Sequence, residues 1–157
     1  MPKMNLPYGA TGGYYMPGEE PDPPSISKSK FYSRCESIAS KKNVKCEVIS
    51  DLYSNFYSVK FFFLPKPVYA LINSAHPFVA FCLPDEDGEI GGIPMDFIDF
   101  EELAGEFRGY RVMNVSELNE QFYLEDHEEL RDIGSIKKQV EYWNPITIGD
   151  VMFNYWD

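Results

Sequence analysis

The side chains with chemical reach in this sequence are few. It contains two histidines, His76 and His127, and three cysteines, Cys35, Cys46 and Cys82. A cysteine nucleophile needs a base beside it in space, and Cys82 with His76 is the one such pair close in sequence. Cys82 nevertheless lies inside Val79-Ala80-Phe81-Cys82-Leu83, an apolar stretch in which a thiol behaves as a small buried hydrophobe. Reactive thiols require an accessible, electropositive setting. The expectation is a core cysteine. His127 is surrounded instead by Glu125, Asp126, Glu128 and Glu129.

Metal chemistry fares no better. Asp85, Asp87 and Glu89 alternate as calcium ligands sometimes do, but positions six and twelve of an EF-hand loop counted from Asp85 fall on Ile90 and Asp96. That loop demands glycine at the sixth and a bidentate glutamate at the twelfth. Asp96, Asp99, Glu101 and Glu102 are read as a solvated acidic rim, and no Cys/His pair has zinc-ligand spacing. A carboxylate pair for hydrolysis can be drawn from many combinations, and nothing singles one out. No cofactor is expected: the glycines near the start lack both a preceding strand and a following Gly-Lys-Ser/Thr.

The distribution of charge carries more. The net charge is −11, yet residues 85–132 alone hold sixteen Asp/Glu against Arg108, Arg111 and Arg131. Such a field repels nucleic acid and anionic membrane and favours a basic protein partner. Phe97, Phe100, Phe107, Tyr110, Phe122 and Tyr123 interleave these acids, and one or two at the surface would supply the anchors an interface needs. The candidate partner-binding residues are therefore Asp85, Glu86, Asp87, Glu89, Asp96, Asp99, Glu101 and Glu102, with Glu125, Asp126, Glu128 and Glu129 as a second patch.

The elements that must position these groups are legible in part. Residues 1–24 form a Gly/Pro-rich lead-in, with Tyr8, Tyr14, Tyr15 and Met16 as possible anchors. A single globular domain then occupies residues 25–157, a length suited to one core. Ser25 or Ser27 can cap a helix whose face is Phe31, Cys35, Ile38 and Ala39, stopping at Asn43. Val44, Cys46 and Val48 alternate with Lys45 and Glu47 as a half-buried strand. Further strands are expected over 56–64, 68–73 and 78–83, with short ones at 93–97 and 110–115. Ile133, Ile136, Val140 and Trp143 give a one-faced helix ending at Asn144-Pro145. Thr147 with Asp150 forms a capping box for a last helix, and the terminal Trp156 should be docked. This is an α+β domain: an antiparallel meander of four to five strands, an N-terminal helix and two C-terminal helices packed on it.

An odd number of cysteines, and no basic and apolar leader after Met1, predict a reducing, cytoplasmic setting. No apolar run is long enough to span a bilayer. The closing Trp143-x-Pro145-x-Thr147-x-Gly149-Asp150-x-x-Phe153-Asn154-x-Trp156-Asp157 resembles the tail of small bacterial immunity proteins of polymorphic toxin and contact-dependent growth inhibition systems. The resemblance covers about a tenth of the chain. It implies an inhibitor of one cognate toxin domain, commonly a basic nuclease whose polyanionic substrate the inhibitor mimics, and it assigns no binding residue. The alternatives are a hydrolase built on a carboxylate pair or on Cys82/His76, and a non-catalytic adaptor domain.

Overall fold

In the computed structural model the described residues are 4–12, 24–49, 54–85 and 95–156. Helix α1 (Lys28–Lys42) leads into strands β1 (Cys46–Ile49), β2 (Phe56–Phe61), β3 (Val68–Asn73) and β4 (Phe78–Cys82). After β5 (Phe97–Ile98) come α2 (Glu101–Ala104), β6 (Arg111–Val112), α3 (Val115–Leu118), α4 (Gly134–Trp143) and α5 (Ile148–Met152). The sheet is six-stranded, an antiparallel meander in the order β1-β2-β3-β4-β5. The outer edge of β4 is shared. β5 pairs antiparallel with it at Phe81 and Cys82, and β6 pairs parallel with it at Phe78 and Val79.

Both faces of the sheet are covered, which explains why β3 reads as an unbroken apolar run, Val-Tyr-Ala-Leu-Ile before Asn73, all buried. Val68, Ala70 and Ile72 face α1, where Phe31, Cys35, Ile38 and Ala39 meet Leu103 and Phe107. Tyr69 and Leu71 face the opposite way, with Leu6, Ala10, Leu118, Leu130, Ile136 and the α5 residues Ile148, Val151 and Met152. The α+β reading and the α1 face hold as expected. Ser27 caps α1 by accepting the Lys30 N–H, and Asn43 ends it in the left-handed region at φ 56°.

Three details differ from the sequence reading. The edge strand β1 leaves Val48 38% exposed, because its outer neighbourhood offers little to bury it against. The short strands shrink to 97–98 and 111–112, with position 93 outside the described residues. Helix α3, a helical turn that the sequence Ser116-Glu117-Leu118-Asn119 places from Ser116, starts one residue earlier at Val115, since Asn114 takes the cap through a capping box with Glu117.

The first described residues are structural. Leu6, Ala10 and Thr11 are fully buried. Three buried asparagines tie this segment to the sheet and to α5: Asn55 Nδ2 donates to Ala10 and Thr11 carbonyls, Asn73 Nδ2 to Ala10 and Met152, and Asn154 Nδ2 to Thr11 and Val151. At Gly12 (φ 67°) an added Cβ would lie 2.1 Å from the Asn55 Cβ, so only glycine lets the backbone approach so closely. No helix among the described residues is long and apolar enough to cross a membrane.

Candidate interaction surface

The acids separate by place. Asp85 and Asp96 are exposed at one end of the sheet, where the Leu83 N–H donates to the Asp96 carbonyl at 2.9 Å. Glu101 and Glu102 are exposed on α2, whose Leu103 belongs to the core beneath α1. Asp99 is exposed and accepts the Val115 N–H at 3.0 Å, which joins it to the start of α3. Glu125, Asp126, Glu128 and Glu129 are exposed around the turn whose His127 and Leu130 point inward, on the other face of the sheet. Glu129 has internal work: its Oε1 accepts the Tyr8 N–H at 3.2 Å. Glu101 and Glu102 thus lie on the opposite side of the sheet from Glu125, Asp126, Glu128 and Glu129, while Asp85 and Asp96 sit at one end of it. Glu86, Asp87 and Glu89 lie outside the described residues.

Other acids face bases of this chain. Glu106 pairs with Lys41, and this hydrogen bond holds its carboxyl below the usual range. Glu117 pairs with Arg111 at 2.8 Å. Arg34 donates to the Glu106 and Arg108 carbonyls. Lys41 of α1 thus offsets Glu106 on the α2 side; on the opposite side Glu125, Asp126, Glu128 and Asp132 are exposed, and Arg131 donates to the Glu125 carbonyl at 3.2 Å.

That opposite side also gathers apolar surface. Tyr123 is 45% exposed, Tyr142 78%, Trp143 40% and Ile146 67%. They come together because residues 121–122 run beside 146–147: Gln121 bridges Thr147, and the Phe122 N–H donates to the Ile146 carbonyl at 2.9 Å. Of the aromatics that interleave the acids, Tyr123 alone is exposed; Phe97, Phe107 and Phe122 are buried and Phe100 and Tyr110 half-buried.

Sequence reasoning missed most of this patch. It assigned Trp143 to the apolar face of α4, but the buried positions are Ser135, Ile136 and Gln139. The spacing by itself does not separate Trp143, at the end of α4, from Ile136, because both fall on the same helical face. Below the patch, the last helix forms as its spacing required. Thr147 Oγ1 accepts the Asp150 N–H while Asp150 Oδ2 accepts the N–H groups of Ile146 and Thr147, and Trp156 is 7% exposed.

The candidate dyad is not assembled. Cys82 is buried at the far end of β4, where burial pushes its thiol up to about 12. His76 precedes the other end and its Nε2 is 2.6 Å from the Tyr8 carbonyl. The strand from Phe78 to Cys82 by itself spans about 13 Å. Among the described residues no three His, Cys, Asp or Glu side chains cluster in a way that could hold a metal ion. In comparison with known proteins, no family model, curated relative or solved structure matches this chain.

Proposed function

We propose that this chain is a cytoplasmic immunity protein, an inhibitor that binds a cognate toxin domain, with a basic nuclease as the best-fitting class. The observation that carries the reading is the union of two surfaces. Four exposed apolar side chains, Tyr123, Tyr142, Trp143 and Ile146, lie on the same side of the sheet as the exposed acids Glu125, Asp126 and Glu128. Aromatic anchors surrounded by charge are what a specific interface uses: the rings supply buried area, and the charges steer encounter and set register. On the α2 side Glu106 is matched by Lys41 of α1, and the aromatics beside the acids there, Phe100 and Phe107, are half-buried and buried, so the binding surface is assigned to the face with Glu125.

The test is growth rescue. Cells expressing the toxin domain encoded beside this gene should survive when this chain is co-expressed, and the two proteins should co-purify. A neighbouring toxin that kills equally well with and without this chain would overturn the proposal.

A further inference from the structure

Both tryptophans of the sequence, Trp143 and Trp156, line one cavity of about 480 Å³. Tyr155, Pro145 and Ile146 extend its wall, and Asp150, the one acidic residue of the lining, is 5% exposed. The two indoles are parallel to within 3°, with ring centroids 6.4 Å apart. Apolar walls alone would suit any greasy group, but three independent features select a positive charge. Indole faces attract cations through the ring quadrupole. The Asp150 carboxylate takes both of its backbone N–H bonds, from Ile146 and Thr147, on Oδ2. The C-terminal end of α4, at Trp143 and Asn144, forms the cavity rim, and terminal carbonyls there carry negative partial charge. Helix α1 meets the same need internally with Lys41 and Lys42 in its last turn, whereas the last turn of α4 has no basic residue.

We propose that this cavity receives an arginine side chain presented by a basic partner protein, its guanidinium lying against the indoles of Trp143 and Trp156. Arginine fits better than lysine because its planar, weakly hydrated head stacks on aromatic faces. The inference rests on the reading of this chain as a binder of a basic protein and names the anchor of that interface.

The full chain reports on its own cavity, since all tryptophan emission arises there. It should be titrated with acetyl-Gly-Arg-Gly-amide and with the same peptide carrying citrulline, which keeps the shape and removes the charge. The arginine peptide should change the fluorescence saturably and bind about tenfold or more tightly than its citrulline counterpart. Trp143→Ala, read through Trp156, should weaken arginine binding by about tenfold, while Trp143→Phe keeps most of it. Because Trp143 is partly exposed, both variants should retain the native far-UV circular dichroism. Equal responses to arginine and citrulline, no response to either, or unchanged arginine affinity in Trp143→Ala would overturn the assignment. Arginine binding without growth rescue would remove the toxin reading and leave the site; rescue without an arginine preference would remove the site alone.

Discussion

His127 is almost completely buried, stacked on Phe122 with ring centroids 4.9 Å apart, and its Nδ1 accepts the Leu6 N–H at 2.9 Å. That bond requires an unprotonated Nδ1. Burial lowers the imidazole pKa, and the carboxylates of Asp126 and Glu120 oppose this more weakly. With the folded value below the unfolded one of about 6.5, an unfolded chain binds a proton that the folded chain refuses. Stability from this group is complete above about pH 6.5 and is lost as pH falls toward the folded value. Urea unfolding at pH 7.5 and at successively lower pH should show that loss. His127→Gln, which keeps an acceptor without the titration, should flatten the decline; an equal slope in the variant would locate the pH dependence elsewhere. Neither the neighbour Leu6 nor the burial could be read from the residues around His127, four of which are acids that suggest a solvated turn.

Helix α5 has five residues and could not persist alone. It is held by its capping box and by close packing, and Gly149 is where the packing is tightest. A Cβ added there would lie 2.6 Å from Phe97 Cε2 and 3.1 Å from the Leu118 carbonyl oxygen. Helix propensity alone would favour alanine over glycine by about 1 kcal/mol. Overpacking a close contact costs about 1–3 kcal/mol, so the clash should win. Gly149→Ala is expected to lower the urea midpoint without changing the denaturant slope. A variant as stable as the native chain would mean that Phe97 moves aside at little cost. The cap and the helix face were legible at this scale because they depend on neighbours three and four residues apart. The need for glycine was not, since Phe97 and α3 approach from far along the chain.

For the whole molecule, the sheet decides which acids act together. It puts Glu101 and Glu102 on the α1 side and Glu125, Asp126 and Glu128 on the side with the exposed aromatics. Charge near an interface chiefly alters the rate of encounter. Replacing Glu125, Asp126 and Glu128 by their amides should therefore slow association with the proposed toxin partner at low salt and change dissociation little. The same exchange at Glu101 and Glu102 should leave both rates near native values. Association measured by surface binding kinetics checks this, and a larger loss from the α2 pair would reverse the choice of face. Raising the ionic strength from about 0.05 to 0.5 M should slow the native association as well, by screening the same charges.

Alternation, helical spacing and capping residues are local, and they were enough to determine the α+β class, the meander, the ends of α1 and α4 and the Thr147–Asp150 cap. The excess of acid after residue 84 is likewise a property of composition. Tertiary structure decided what those features do. It buried Leu6 and Ala10 in what reads as a Gly/Pro-rich lead-in, because asparagines at positions 55, 73 and 154 satisfy that segment's carbonyls. It split the acid between two faces and turned Trp143 partly outward beside Trp156. Local pattern records which residues can share an element; only the packing of distant elements determines which surfaces remain for a partner.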